Sequence, residues 1–361
     1  MNIYYDSRWT KIDFHDGISR YGAGIVQGFK ENGIPITLLI KDKRQLKNLP
    51  KDMPYILVND PLSFKELLLP KKLNELGADI VISPFQIIGT WGRKYKLILT
   101  LHDTIYYIHP QAPTNLTLAQ RIAWRLFHLT KFPQRGLLDG ADKVATVSNY
   151  SKKNIKKLRL TKREIVVIYN APSHKQTQLR HSSDITKNII YMGSFMPYKN
   201  VETLIRGMSF LPERFTLHLL SKILPERKAE LEKLIKPGVS VVFHNGVTDE
   251  EYNELLQSAF CLASASKEEG FGLPVIEAQM LGTPVVCTDM EIFHEVAEDG
   301  ALFFSANSPK QFAEQVMKLD DTKFESDLVA LGRKQAEKFT WKQSSKKLYE
   351  ICEKLVNGKP E

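Results

Sequence analysis

The chain has little cysteine, and no apolar run is long enough to cross a membrane. Its 361 residues contain three cysteines, Cys261, Cys287 and Cys352, without a C-x-x-C pair. This spacing excludes a zinc-finger or disulfide scaffold and fits reduced thiols in a cytosolic compartment.

The start, MNIYYDSRWT, lacks the basic and apolar segments of a signal peptide. No apolar run approaches the roughly 18 residues of a membrane span. We therefore expect a cytoplasmic location, with any contact at the inner face of the membrane being peripheral.

Charge is unevenly placed along the chain. Lysine and arginine number 50 against 41 acidic residues, a net of +9, and residues 1–172 carry +13 while residues 173–361 carry −4. The basic half predicts contact with nucleic acid, anionic lipid or a phosphorylated acceptor, or it is solvated lysine-rich surface. Because no aromatic-plus-basic pattern of an RNA-reading sheet is present, nucleic-acid binding is disfavoured.

Short apolar runs alternate with helical patterns from end to end, which predicts an α/β fold with open parallel sheets. The polar stretch SHKQTQLRHSSDIT interrupts the alternation and is typical of an interdomain linker. The predicted organisation is two doubly wound domains at 1–172 and 187–340, a linker at 173–186, and a closing helix at 341–361. The expected strands are Asn2–Tyr5, Ile36–Ile40, Tyr55–Val58, Asp79–Ser83, Lys96–Leu101, Lys143–Val147, Ile165–Ile168, Ile189–Met192, Phe215–Leu220, Val239–Phe243, Phe260–Ala263 and Pro284–Cys287.

The segment SASKEEGFGLPVIEAQMLG carries the clearest chemical pattern. A strand ends near Ala263, a glycine turn follows, and a helix begins near Leu273. Because the free N–H groups of a first helical turn attract anions, this junction predicts a phosphate site. Two carboxylates, Glu269 and Glu277, flank the turn and are suited to sugar hydroxyls. The alternative is a surface turn with two solvated glutamates.

Several motifs resemble one enzyme family. EGFGLPVIEA, followed by GTPVV and HEVAEDGALFF, resembles the E-x7-E region of the retaining glycosyltransferases of family 4 (glycosyl transferases group 1). Four further segments resemble family segments that occur in the same order along the chain. They are LHDTIYY, ADKVATVSNYSKKNI, MGSFMPYKNVETLI and WKQSSKKLYEICEKL. The resemblance implies the GT-B fold: two Rossmann-like, doubly wound domains, a cleft between them, and a C-terminal helix that crosses back to the first domain.

The resemblance also implies roles in the second domain. Glu277 would hold the ribose hydroxyls of a nucleotide sugar, Glu269 the hydroxyls of the donated sugar, and Lys199 the diphosphate. Many family members have an arginine after the first glycine turn and a basic residue before the lysine, whereas this chain has Ser194 and Tyr198. The remaining nucleotide-sugar contacts implied by the resemblance are those of Ser194, Gly270, Phe271, Gly272 and Leu273.

In the first domain, the resemblance implies that His102 contacts the donor sugar near the reacting carbon. A lone histidine is otherwise more often structural. HDGISRY resembles the family's N-terminal glycine loop, in which Gly17 would let the backbone approach the diphosphate. Family members often have two adjacent glycines here, and this chain has Asp16-Gly17.

The expected activity is transfer of a hexose, with retention of configuration, from a nucleotide-diphosphate sugar to a glycan or lipid-linked acceptor in envelope polysaccharide or glycoconjugate synthesis. No Asp-x-Asp motif is placed to bind a metal–diphosphate, so the resemblance implies that neither a metal nor another cofactor is needed. The alternatives are a GT-B nucleotide-sugar epimerase or glucan synthase and, in another class, a nucleic-acid-binding protein. E-x7-E together with His102-Asp103 favours the transferase.

The segment LAQRIAWRLFHLTKFPQR predicts an amphipathic basic helix. Arg121, Trp124 and Arg125 are its candidate contacts with an anionic membrane or with the acceptor. The alternative is a helix whose apolar residues pack on the sheet.

Overall fold

The computed structural model describes residues 1–13, 15–112, 116–172 and 185–358. The chain divides into two units, the first made of residues 1–173 with 339–361 and the second of residues 174–338. Most of the predicted linker, 173–186, lies outside the described residues. No helix of the described ranges is both long enough and apolar enough to span a bilayer.

The first unit is built on a seven-stranded sheet whose neighbouring strands are parallel, in the order β3-β2-β1-β4-β5-β6-β7. All seven strands expected from the sequence are present. Because the strands are parallel, their carboxyl ends share one edge, where ligands bind in such sheets. The strands are β1 Ile3–Asp6, β2 Thr37–Ile40, β3 Tyr55–Leu57, β4 Ile80–Ser83, β5 Lys96–Thr100, β6 Lys143–Thr146 and β7 Glu164–Val167.

Among the described residues of this unit, six α-helices connect the strands. The helical pattern of the sequence predicts a single helix over Ser63–Leu76, but in the structure a 3-10 helix, Phe64–Leu68, precedes a short α-helix there. Pro70 has no N–H and therefore cannot continue a hydrogen-bonded helix from the preceding turn. The helices are α1 Gly17–Glu31, α2 Leu69–Glu75, α3 Ile105–Ile108, α4 Leu118–Leu129, α5 Phe132–Asp139 and α6 Asn149–Leu158.

The C-terminal helix α14, Trp341–Asn357, packs on α1 of the first unit. A Cβ atom at Gly24 would lie 2.1 Å from the Trp341 ring, and one at Gly28 would lie 2.1 Å from the Trp341 carbonyl oxygen. The side chain of Asn32 also donates a hydrogen bond to Ser345 Oγ at 2.9 Å. The two glycines therefore permit the close approach that joins the end of the chain to its beginning.

The second unit has a six-stranded parallel sheet in the order β10-β9-β8-β11-β12-β13. Five of its strands match the expected segments, and β13 was not expected. The strands are β8 Asn188–Tyr191, β9 Thr216–Leu219, β10 Ser240–Phe243, β11 Cys261–Ser264, β12 Val285–Thr288 and β13 Leu302–Phe304. The helices are α7 Val201–Met208, α8 Pro225–Glu232, α9 Asp249–Ser258, α10 Leu273–Leu281, α11 Glu291–Ala297, α12 Pro309–Lys318 and α13 Thr322–Ala336.

Candidate active site

The glycine turn of the second unit connects β11 to α10 as the sequence predicts. Gly272, the residue before α10, has a φ of 93°, a left-handed conformation that favours glycine. A Cβ atom at this position would also lie 2.8 Å from the Phe293 ring. Pro274 occupies the first turn of α10, where its missing N–H costs nothing. The turn therefore presents backbone N–H groups at the start of α10, an arrangement that favours an anionic group.

Glu277 lies one turn into α10 and is buried. The hydroxyl of Tyr252, which is buried on α9, donates a hydrogen bond to Glu277 Oε2 at 3.0 Å. A buried carboxylate needs such partners, because an unsatisfied one is costly. Tyr252 was not singled out in the sequence, since nothing in its local pattern indicates a contact 25 residues away.

Glu269 and Lys199 form an ion pair at the other end of the glycine turn. Lys199 Nζ lies 2.5 Å from Glu269 Oε1, and both side chains are mostly buried. The Ser266 hydroxyl donates to the same carboxylate oxygen at 2.7 Å. Two residues that the sequence assigned separately to the donor therefore meet, with Ser266 as a third member that sequence reasoning missed.

Asn200 holds the lysine in this place. It has a φ of 52°, and its side-chain amide donates to the carbonyl oxygens of Ala265 at 3.1 Å and Ala306 at 2.8 Å. These bonds tie the 3-10 helix Pro197–Lys199 to the chain that follows β11. In the Lys-Asn pair of the sequence, Lys199 therefore carries the charge and Asn200 positions it.

Ser194, which replaces the arginine found in many family members, is exposed in the turn after β8. Its carbonyl oxygen accepts a hydrogen bond from the Tyr191 hydroxyl at 2.6 Å. The guanidinium of Arg227, from α8, lies at the same turn and donates to the Phe195 carbonyl oxygen at 3.1 Å while pairing with Glu202. A cation therefore lies beside this turn, although it comes from a different element.

His102 follows β5 at the carboxyl edge of the first sheet. Its Nε2 lies 2.8 Å from the carbonyl oxygen of Pro84, and because a carbonyl only accepts, Nε2 carries the proton. Burial lowers the pKa of His102 below its ordinary value. The imidazole is therefore neutral at pH 7, and Nδ1 is the nitrogen with the lone pair.

Gly17 is the first residue of α1, and the Asp16 side chain caps this helix by accepting from Ser19 N at 2.9 Å. A Cβ atom at Gly17 would meet no atom within 4 Å. Packing within the first unit therefore does not require glycine here. Tyr21, one turn further along α1, contacts the His102 ring edge-on at 4.8 Å, so this helix start and His102 are neighbours.

The amphipathic helix α4 contains no fully buried residue, and Trp124, Phe127 and His128 are half-buried. Arg121 and Arg125 are exposed. Trp124 instead turns inward, stacked on His128 at 4.2 Å and edge-on to Tyr106 at 5.3 Å. The apolar side chains exposed on α4, by 52% to 77%, are Leu118, Ile122, Leu126 and Leu129.

Within the described ranges, no cluster of three or more histidine, cysteine or acidic side chains could hold a metal ion. Asp320 pairs with Lys187 and Arg214, and Asp321 caps α13. The adjacent aspartates thus have structural partners.

Two family models match consecutive parts of the chain. "Glycosyltransferase Family 4" matches residues 15–173, and "Glycosyl transferases group 1" matches residues 175–335. The O-antigen chain mannosyltransferase RfbU of Salmonella typhimurium is 27% identical over 65% of this chain and 67% of its own length. O-antigen chain mannosyltransferase B of Escherichia coli is 26% identical over 56% of this chain and 58% of its own length.

Solved structures share the fold at lower identity. Sucrose-phosphate synthase from Thermosynechococcus elongatus has a TM-score of 0.74 at 17% identity, covering 99% of both chains. Anabaena Alr3699/HepE, solved in complex with UDP-glucose, has a TM-score of 0.68 at 17% identity, covering 97% of this chain and 99% of its own. The chain thus belongs to the group 1 glycosyltransferases, and its two parallel α/β sheets are those of a GT-B fold.

Proposed function

We propose that this protein transfers a hexose, with retention of configuration and without a metal ion, from a nucleoside-diphosphate sugar to a glycan or lipid-linked acceptor in polysaccharide synthesis. The observation that carries the proposal is the glycine turn before α10, which has buried Glu277 on one side and the Lys199–Glu269 pair on the other. Mannose is the first sugar to test, because the two relatives described above are O-antigen mannosyltransferases.

Glu277 is the proposed anchor of the nucleoside. A carboxylate accepts hydrogen bonds from neutral hydroxyls, so it suits the vicinal diol of a ribose. The Tyr252 hydroxyl bonded to Oε2 fixes the orientation of the carboxylate before the ligand arrives. A preoriented acceptor loses less free energy to ordering when it binds.

The Lys199–Glu269 pair is the proposed diphosphate and sugar site. With donor bound, the Lys199 ammonium would interact with the diphosphate and Glu269 would accept hydrogen bonds from the transferred sugar. Their ion pair supports this division, because it brings a cation and a hydrogen-bond acceptor, both mostly buried, to the glycine turn that precedes α10. The ammonium and those N–H groups supply positive potential where negative charge develops on the leaving group.

The proposed chemistry occurs on one face of the sugar. The acceptor oxygen bonds to the anomeric carbon as the bond from that carbon to the β-phosphate oxygen breaks, and the acceptor proton passes to a β-phosphate oxygen. His102, neutral at pH 7, would contact the donor sugar near this carbon without adding a positive charge there.

The first unit supplies the proposed contact with a membrane-bound acceptor. Arg121 and Arg125 lie on α4 beside its exposed leucine and isoleucine side chains. A helix with basic and apolar surface of this kind binds at the interface of an anionic bilayer. A glycan acceptor carried on a lipid would be presented at the same interface.

A donor screen tests the proposed function. Thermal unfolding is followed with GDP-mannose, UDP-glucose and ADP-glucose, since a ligand that binds only the folded state raises the unfolding temperature by mass action. We expect one nucleotide class to raise it in the wild type and not in Glu277→Ala. If no nucleotide sugar changes the unfolding temperature at saturating concentration, the proposal is wrong.

A further inference from the structure

A short segment after β3 holds an unusual amount of apolar surface in water. Phe64 is 96% exposed and Leu62 is 75% exposed, and Leu67 and Leu68 are each about two-thirds exposed. All four fall within seven consecutive residues, around the 3-10 helix Phe64–Leu68. Single exposed apolar residues are ordinary, but a contiguous group marks an interaction surface. We call residues 62–68 the apolar wedge.

The apolar wedge is fixed by a mostly buried carboxylate beneath it, that of Glu66. Glu66 accepts from the buried Arg8 guanidinium at 2.6 and 3.1 Å, from the Asn59 side chain, and from the Gly89 backbone N–H at 2.9 Å. Arg8 is held in turn by Asp6, at 2.7 and 2.9 Å. The carboxylate of Glu66, the one acidic residue of the segment, therefore points inward and accepts hydrogen bonds there.

The neighbouring chain also fits closely against the segment. A Cβ atom at Gly89 would lie 2.3 Å from the Glu66 carbonyl oxygen, so backbone approaches backbone at this position. Leu69 and Pro70, which follow directly, are buried. Because the segment is tied down at Glu66 and buried at Leu69, the exposure of Phe64 and Leu67 is imposed by the fold.

The charges around the apolar wedge favour an anionic partner. From Pro61 to Asn74 the only acidic residue is Glu66, whereas Lys65, Lys71 and Lys72 are exposed. The same imbalance surrounds α4, since no acidic residue occurs between Asp103 and Asp139. Apolar side chains flanked by lysine match the interface of a bilayer with anionic lipids, where the apolar groups enter the acyl boundary and the ammonium groups meet phosphates.

From these observations we infer that the apolar wedge inserts into an anionic phospholipid surface, as a second contact in addition to that of α4. This inference rests on the membrane contact of the proposed function and adds the residues that enter the bilayer. Asp6 and Arg8 lie at the carboxyl end of β1 and Asn59 lies beyond that of β3, so the wedge borders the same sheet edge as His102. Insertion would bring that edge of the first unit to the lipid phosphates.

A fluorescent probe at position 64 tests the insertion directly. The three native cysteines are buried, so Phe64→Cys can be labelled selectively with an environment-sensitive dye. Phe210→Cys is the matched control, because Phe210 is an exposed phenylalanine of the second unit. We expect the dye at position 64 to shift to the blue with vesicles of phosphatidylcholine and phosphatidylglycerol in equal parts, and the dye at position 210 to stay unchanged.

Vesicle flotation with Phe64→Ser/Leu67→Ser measures the contribution of the wedge. Removing two inserted apolar side chains should weaken binding to these vesicles by about tenfold or more, while Phe210→Ser leaves it unchanged. An unchanged unfolding temperature and an unchanged shift with nucleotide sugar show that the variant is folded.

Three results would overturn the inference. If Phe64→Ser/Leu67→Ser binds vesicles like the wild type and the dye at position 64 stays in water, α4 alone carries the membrane contact and the proposed function stands. If the double variant instead abolishes a dimer of the wild type that forms without vesicles, the wedge binds a second copy. If the wild type binds no anionic vesicles, both membrane contacts fail, while the donor screen still tests nucleotide-sugar binding.

Discussion

The two units differ in how their candidate binding residues are exposed to solvent. In the second unit, the groups at the glycine turn are buried and bonded to one another, as in Tyr252–Glu277 and Lys199–Glu269. In the first unit, apolar side chains such as Phe64 and Leu126 are held in water among basic residues. A small polar ligand is best met by preoriented groups, whereas an extended apolar surface is met by exposed side chains that need no fixed partner. This difference supports the proposed division, in which the second unit holds the nucleotide sugar and the exposed apolar surface of the first unit docks on a membrane.

The largest effect should come from Lys199→Ala. This change removes the proposed diphosphate cation and leaves Glu269 without its ion-pair partner. We expect turnover to fall by about 10²–10³-fold, as when an electrostatic transition-state contact is lost, with nucleoside affinity nearly intact. Steady-state kinetics with the identified donor measure this.

Lys338→Ala is the matched control for that experiment, because Lys338 pairs with Glu298 in an exposed position of the same unit. Its turnover should equal that of the wild type. Near wild-type turnover in Lys199→Ala would show that another cation, such as Arg227, neutralises the diphosphate.

Glu277→Ala should weaken binding of the donor and of the free nucleoside diphosphate alike. A buried carboxylate that accepts two ribose hydroxyls contributes about 2–4 kcal/mol. Isothermal titration calorimetry measures the loss. Tyr252→Phe keeps the carboxylate but removes its orienting hydroxyl, so its affinity should fall by a smaller factor. Unchanged nucleotide affinity in Glu277→Ala would refute the assignment of this residue.

The pH dependence of transfer tests the role of His102 at the carboxyl edge of the first sheet. Because burial lowers the pKa of His102 below its ordinary value, the ring stays neutral at pH values where an exposed histidine is already becoming protonated. Transfer that depends on neutral His102 should therefore be constant near neutral pH and decline only in acidic buffer. His102→Ala should lower transfer activity while keeping nucleotide affinity, and its residual activity should lack the acid limb. If the variant transfers normally, His102 has a structural role.

The smallest effect is expected on α4. Arg121→Glu/Arg125→Glu should lower binding to anionic vesicles and leave donor affinity unchanged. The difference should shrink as salt rises, since screening limits charge attraction to about 8 Å at physiological ionic strength. Lys346→Glu/Lys347→Glu, an exposed pair on α14, is the charge-matched control. Equal losses in the two variants would mean that net charge, and not α4, determines binding.

Much of this comparison could be predicted from the sequence where the signal is local. The parallel strands are short apolar runs, and the E-x7-E spacing places Glu269 and Glu277 at either end of one strand–turn–helix junction. The bond from Tyr252 to Glu277 and the pair Lys199–Glu269 could not be predicted, because they join elements 25 and 70 residues apart. Such contacts depend on how the helices pack.

In the first unit, the local sequence pattern predicts the helices but not which of their faces is exposed. Trp124 was expected at a membrane or acceptor surface, but it packs on His128 and Tyr106, and smaller apolar residues occupy the outer face. An amphipathic pattern shows that a helix has two faces without showing which face is covered. In the same way, the apolar run near Phe64 was expected in an ordinary helix, and only the inward turn of Glu66 explains its exposure.

The stereochemistry of the product formed in EDTA is the most direct test of retaining, metal-independent transfer. The protein is incubated with an α-linked nucleoside-diphosphate hexose and an acceptor in excess EDTA, and the anomeric configuration of the product is read by proton NMR. We expect an α-linked product formed at the same rate with and without EDTA. A β-linked product, or activity lost in EDTA and restored by manganese, would contradict it.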